Sequence, residues 1–159
     1  MIEDGYGLSI LWEPLDDVGD AVVLGALHAT SRTIILNERR LDIFERVIGP
    51  ERFTLAHELG HWVYDAENPD QMSLLEDSSE RALCRAPSAR VNDSADIREI
   101  NANKLAACTL LPSGLVRDYL ATPFPTNAGL AEAAHGWGVS ASTLRFRLTE
   151  LGLASLLPT

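Results

Sequence analysis

Short blocks of apolar residues separated by polar turns occupy the first third of the chain, and longer helix-like spacings follow. Blocks rich in β-branched and other strand-forming residues predict strands at Leu8–Trp12, Ala21–Leu27 and Thr33–Leu36. The turn-forming stretch Pro14–Asp20 separates the first two. Asp42–Val47 has the pattern of a short helix. We therefore expect most of the strands near the N-terminus.

Two longer helices are predicted beyond this region. The first is Arg52–Tyr64, and the second is Ile97–Leu111, which Pro112 ends. Residues 65–95 between them are polar and aperiodic, which indicates a long surface loop with one short strand near Ala82–Arg85. A loop of that length in a small domain is usually functional or disordered.

The last part of the chain is predicted to be helical. The predicted helices are Leu115–Leu120, Ala128–Ala134 and Ser140–Leu151. Pro123 and Pro125 break the chain between the first and second of these helices. We therefore expect a core domain over residues 1–122 and a helical extension over residues 123–159.

The first long helix carries His57-Glu58-Leu59-Gly60-His61, which fits the pattern H-E-x-x-H. Residues at i and i+4 share one helix face, so His57 and His61 can direct two imidazoles at one metal ion. Glu58 can then act as general base on a water molecule held at the open position of a catalytic zinc site. The alternative is a helix that carries two histidines by chance.

The second long helix offers a third ligand. Only His28 and His135 remain as further histidines, and neither follows the motif at a short spacing. Glu99 and Asn103 stand at i and i+4, so both face the same way. Glu99 would bind the metal, and Asn103 would accept a hydrogen bond from a ligand imidazole. Alone, Glu99 would be read as a solvated carboxylate at a helix start. Beside a complete H-E-x-x-H motif, the ligand reading is favoured.

The amino-acid composition is typical of a globular protein with free cysteines and disfavours a protein that binds nucleic acid nonspecifically. The 159 residues include 46% hydrophobic side chains, enough for a buried core. With 13 basic and 23 acidic residues the formal net charge is −10, which disfavours nonspecific binding to nucleic acid or anionic membranes. No apolar run could span a bilayer, and the acidic N-terminus does not resemble a signal peptide. Two cysteines make no disulfide framework, so we expect a cytoplasmic protein.

Two segments resemble a known family. Residues 52–61 read RFTLAHELGH, and residues 99–112 read EINANKLAACTLLP. They are similar to the motifs of the ImmA/IrrE family of zinc metallopeptidases, RFTLAHELGH followed by E-x-x-A-N/D-x-F-A-A-x-L-L-M-P. Leu105 replaces the usual Phe and Leu111 the usual Met, and both changes exchange one apolar residue for another. The resemblance covers about residues 20–112.

The resemblance implies a fold and an activity. The fold would be a small α+β zincin-like (minigluzincin) domain, with a short twisted sheet packed on two metal-binding helices. One Zn²⁺ per chain would be bound by His57, His61 and Glu99, although such ligands also suit iron(II). Family members are intracellular proteases that often cleave a helix-turn-helix repressor encoded nearby and so derepress stress or mobile-element genes. An extended substrate segment would pair with an edge strand, Thr33–Leu36.

Four further side chains are weaker candidates. Tyr64, three residues after His61, and His28 are candidate oxyanion stabilisers, but a core aromatic and an exposed strand-end residue explain them as well. Cys108 lies in an apolar helix and is predicted to be a small core residue. Cys84, in the polar loop, could block the metal or sense oxidation.

Residues 128–148 resemble a helix-turn-helix in which Ser140 caps the second helix. The side chains placed to contact DNA would be Ser142, Thr143, Arg145 and Arg147. Residues 126–159 carry two arginines and two glutamates, so they lack the basic face of a DNA reader. We therefore do not expect direct DNA binding, and favour a helical pair that packs on the core or docks a partner.

Three functions remain open. The first is an endopeptidase acting on a repressor, and an intact Glu58 favours it because a pure binder needs no general base. The second is a non-proteolytic metal-binding module that sequesters a repressor. The third is a DNA-binding regulator with structural zinc, which would need four protein ligands where only three are visible.

Overall fold

The computed structural model describes residues 2–67, 82–85 and 93–158. The strands in this part of the chain are β1 Ser9–Glu13, β2 Val23–His28, β3 Thr33–Asn37 and β4 Ala82–Arg85. Its α-helices are α1 Ile2–Tyr6, α2 Leu41–Arg46, α3 Pro50–Glu67, α4 Asp93–Leu110, α5 Ser113–Tyr119, α6 Asn127–Gly136 and α7 Ala141–Glu150. Short 3₁₀ turns lie at Glu38–Arg40 and Ala154–Leu156. This is the predicted α+β class, with strands gathered toward the N-terminus.

The predicted strands and longer helices are confirmed, with ends displaced by a few residues. The predicted loop 65–95 is shorter, because α3 continues to Glu67 and α4 begins at Asp93. Polar residues are compatible with helix ends, where water satisfies the last backbone groups. Residues 68–81 and 86–92 of that predicted loop lie outside the described residues. Helix α1 was not predicted, since five residues are too few to show a helical period.

The four strands form one mixed sheet in the order β1-β3-β2-β4. Strand β1 is parallel to β3, whereas β2 is antiparallel to both β3 and β4. The prediction that Thr33–Leu36 is an edge strand is therefore wrong. All five residues of β3 are buried, so both faces of this strand are covered, since successive side chains point to opposite faces. The edges of the described sheet are β1 and β4.

Helix α3 packs across the sheet and contacts β2, β3 and β4. The core between them contains Leu8, Leu27, Ile34 and Leu59, all at most 5% exposed. On its other side α3 lies along α4, and this is the most extensive contact between two elements. The sheet thus fixes α3 on one side, and α4 fixes it on the other.

The C-terminal helices build a second core at the end of α4. Its buried residues are Leu111, Val116, Leu130, Ala134, Val139, Leu144, Leu148 and Leu156. Side chains from α5, α6 and α7 therefore cover the apolar end of the helix that carries Glu99. No helix in the described part of the chain combines the length and the apolar content needed to cross a bilayer.

Candidate metal centre

Helix α3 places two imidazoles on one face. Proline stands at its first position, where the missing amide hydrogen costs nothing and the fixed φ suits a helix. Four residues separate His57 from His61, so their rings meet edge to face with centroids 4.7 Å apart. Their Nε2 atoms are 3.0 Å apart, and both residues are 2% exposed. The two nitrogens therefore converge on one point.

Helix α4 brings a carboxylate to the same point. Oε2 of Glu99 lies 3.3 Å from Nε2 of His57, and Oε1 lies 3.2 Å from Nε2 of His61. Burial raises the pKa of Glu99, but hydrogen bonds and charge interactions with both histidines outweigh it and lower the pKa to about 2. The carboxylate therefore stays ionised, as a metal ligand must be.

The spacing of these donors fits a divalent metal. In the described part of the chain, His57, His61 and Glu99 form a group whose ligand atoms lie within 4.8 Å of one another. Bond lengths of about 2.0–2.2 Å in a tetrahedral zinc site place neighbouring ligand atoms about 3.3–3.6 Å apart. The three observed separations are close to that range. Two imidazoles and one carboxylate leave one tetrahedral position open, as in catalytic zinc sites.

Asn103 contacts the far side of one imidazole. Its Oδ1 lies 3.0 Å from Nδ1 of His57. An amide oxygen can only accept a hydrogen bond, so Nδ1 carries the proton and Nε2 keeps its lone pair for a metal. This is the contact that the i and i+4 spacing with Glu99 predicted.

Glu58 is completely buried between α3 and the sheet. Above it, β2 carries Gly25, where an added Cβ would lie 3.8 Å from Oε1 of Glu58 and would collide with the methyl group of Thr54. Only a glycine lets β2 pass this close to α3. Gly25 was not among the residues predicted for the site, although an isolated glycine in a strand often marks a close approach.

The comparison with protein families agrees with this geometry. The model of peptidase family M78, described as the IrrE N-terminal-like domain, matches residues 22–149. The chain belongs to this family. The match covers most of the chain and includes all the residues of the metal centre. No curated protein matches the chain.

Membership in the IrrE N-terminal-like family supports a peptidase, and the metal-competent cluster agrees with a metallopeptidase. The family match also confirms the predicted α+β fold class and the resemblance to the ImmA/IrrE family on which that prediction depended. The matched region extends through α6 and most of α7, well past the motifs that revealed the resemblance.

The two candidates for oxyanion stabilisation lie on β2 and α3. His28 lies at the end of β2 and is not a member of the metal-ligating group found among the described residues. Tyr64 lies three residues after His61 on α3 and is half-buried. The role of oxyanion stabiliser stays a prediction for both residues.

Two residues proposed as DNA contacts are buried instead. Thr143 and Arg147 are 8% and 6% exposed. Arg147 donates from Nε to the carbonyl of Leu111 at 2.9 Å and pairs with Glu150 at 2.8 Å. Arg147 thus joins α7 to the end of α4, whereas Thr143 bonds with Ser140 at the start of α7. Both side chains are too buried to read DNA. Ser142 and Arg145 remain at the surface, where Arg145 donates to Asn127.

The prediction for Cys108 is also wrong. Cys108 is exposed on α4, whereas its neighbours Ala106 and Ala107 are buried. The sequence is apolar around the whole of this helical turn, so it did not show which side faces solvent. Cys84 lies on β4, and its side chain falls outside the described part of the structure.

Proposed function

We propose that this chain is a cytoplasmic zinc endopeptidase that cleaves a partner helix-turn-helix repressor. The observation that carries the proposal is the convergence of His57, His61 and Glu99 on one point, next to the buried carboxylate of Glu58. The choice of a repressor as substrate rests on the resemblance of the two motifs to the ImmA/IrrE family.

Zinc, when bound, would supply the Lewis acid that polarises the scissile carbonyl and increases the acidity of water. His57, His61 and Glu99 would hold it. Asn103 would keep the Nδ1 proton of His57 in place, so that the ring presents Nε2. Glu58 would take a proton from the attacking water and return it to the leaving amine.

An extended substrate segment would add to the sheet at β4 and not at β3, whose two sides are both paired. Strand β4 pairs with β2 around Gly25, the residue that lies over Glu58. A substrate strand along β4 would therefore lie about 10 Å from β2, on the same side of the sheet's centre as Gly25 and β4, held by main-chain hydrogen bonds.

The test takes as substrate any small helix-turn-helix protein found to be encoded next to this gene. Purified wild type is expected to hold about one zinc per chain by elemental analysis and to cut this protein at a defined site. Glu58→Gln should keep the zinc and lose at least a thousandfold in cleavage rate, since it retains the ligands but removes the base. Glu99→Ala should lose the zinc.

Other outcomes would distinguish the alternatives. Stable binding of the repressor without cleavage, by wild type and Glu58→Gln alike, would favour a non-proteolytic regulatory module. Absence of stoichiometric metal in wild type would overturn the peptidase mechanism. The burial of Thr143 and Arg147 already counts against a DNA reader that uses the second helix of the pair.

A further inference from the structure

The two helices that carry the metal-binding residues are in close contact at Gly60 of α3 and Ala102 of α4. A Cβ added at Gly60 would lie 2.8 Å from Cα of Ala102, 3.1 Å from its carbonyl oxygen and 3.2 Å from its Cβ. Carbon atoms in contact prefer about 3.5–4.0 Å. Two of these three atoms belong to the α4 backbone, which cannot rotate away as a side chain can. Any side chain at position 60 would therefore push the helices apart.

This contact lies at the level of the metal centre. Gly60 directly precedes His61 and follows His57 by three residues. Ala102, which is 1% exposed, follows Glu99 by three residues and directly precedes Asn103. All four polar residues thus lie within one helical turn of the contact. A change in helix separation here changes the distance between the imidazoles and the carboxylate.

The metal centre tolerates little change of that kind. The nitrogen to oxygen distances of 3.2 and 3.3 Å already match the edge of a tetrahedral site. Metal–ligand bonds hold within about 0.2 Å of their preferred lengths, so a helix displacement of a few tenths of an ångström matters. Glycine is also a poor residue for a helix interior, so its presence in α3 needs a reason.

We propose that Gly60 is a positioning residue: its contact with Ala102 sets the spacing between the His57–His61 pair and Glu99, and thereby sets metal affinity. Gly60 touches neither the metal nor the substrate. It acts through the helix backbones, and it makes the third ligand reachable by bringing α4 within backbone contact of α3. The inference rests on the proposed function in one respect, that this site binds a metal.

The test compares Gly60→Ala with Gly136→Ala, a matched change in α6 where nothing lies within 4 Å of the added Cβ. Zinc affinity is measured on the full chain by competition with a chelator, and the visible absorption spectrum is recorded after loading with Co²⁺. Gly60→Ala is expected to weaken zinc binding tenfold or more and to change the intensity and position of the cobalt bands. Gly136→Ala should match wild type in both measurements.

A second variant covers the case in which Gly60→Ala does not fold. Ala102→Ser adds one atom on the α4 side of the same contact and should weaken zinc binding by a smaller factor. Thermal unfolding of the metal-free proteins reports the fold separately. A Gly60→Ala protein with lowered stability but the zinc affinity and cobalt spectrum of wild type would make the contact purely structural and overturn the inference. If wild type itself binds neither metal, the proposed function fails and this inference with it.

Discussion

Asn103 shows how one side chain can determine what a ligand presents to a metal. A neutral imidazole has one protonated and one unprotonated nitrogen, and only the latter can bind a metal. Oδ1 of Asn103, 3.0 Å from Nδ1 of His57, holds the proton on the far side of the ring. His57 therefore keeps Nε2 available and keeps its ring directed at Glu99 and His61.

Asn103→Ala removes this acceptor and should weaken zinc binding by about 10–100-fold, because the tautomer and the ring orientation are no longer fixed. Asn103→Asp keeps an acceptor at the same place and should bind zinc at least as well as wild type. Chelator competition measures both variants. Equal affinity for wild type and Asn103→Ala would show that the hydrogen bond does not orient the ligand.

At the scale of secondary-structure elements, one buried side chain connects the segment before β2 to the sheet. Asn37, fully buried at the end of β3, accepts from the amide of Leu15 at 3.0 Å. Its Nδ2 donates to the carbonyls of Leu15 and Val23 at 3.1 and 2.7 Å. The amide of Arg39 also donates to Oδ1 at 3.1 Å, so one side-chain amide satisfies four backbone groups. It joins β3 to the chain that leads into β2, the strand over Glu58.

Asn37→Ala should lower the free energy of unfolding by about 3 kcal/mol, because it leaves buried backbone groups without partners. The matched control is Asn127→Ala, which removes an exposed bond to Arg145 and should change stability by about 0.5 kcal/mol or less. Urea unfolding of both variants measures the difference. The interpretation is wrong if the two substitutions cost the same.

Across the whole molecule, the start of α3 is attached to the C-terminal helices. Gly49, just before α3, has φ 116°, and a Cβ there would lie 2.8 Å from the amide nitrogen of Ser140 and 2.9 Å from the carbonyl carbon of Val139. At the other end of the site, Arg147 binds the carbonyl of Leu111 just beyond α4. The C-terminal helices therefore contact both helices of the metal centre.

Gly49→Ala should destabilise the protein by about 2 kcal/mol or more, because a positive φ and a backbone clash act together. Gly19→Ala is the control: its φ is 60°, and nothing lies within 4 Å of the added Cβ. The control should cost only about 1 kcal/mol for the left-handed conformation. Thermal and urea unfolding compare them. Equal losses would mean that Gly49 makes no close contact with the C-terminal helices.

The local features of this protein follow from its sequence. Helical periodicity alone places His57 with His61 and Glu99 with Asn103, because residues at i and i+4 share a face wherever the helix lies. The strand at Thr33–Leu36 is equally local, since a β-branched apolar run favours an extended backbone. The two sequence motifs at residues 52–61 and 99–112 also indicated the family, which the match over residues 22–149 confirms.

What the sequence could not determine depends on partners distant along the chain. Whether β3 lies at an edge or in the interior depends on where β1 attaches. Strand β1 pairs directly with β3 in the sheet, although β2 lies between them in the sequence. Whether Cys108, Thr143 and Arg147 face solvent depends on which side of each helix meets a neighbour. The distance from Glu99 to the histidines depends on how closely α4 approaches α3. The sequence specifies which groups share a face, but only packing determines which faces meet, because burial and contact are properties of pairs of elements.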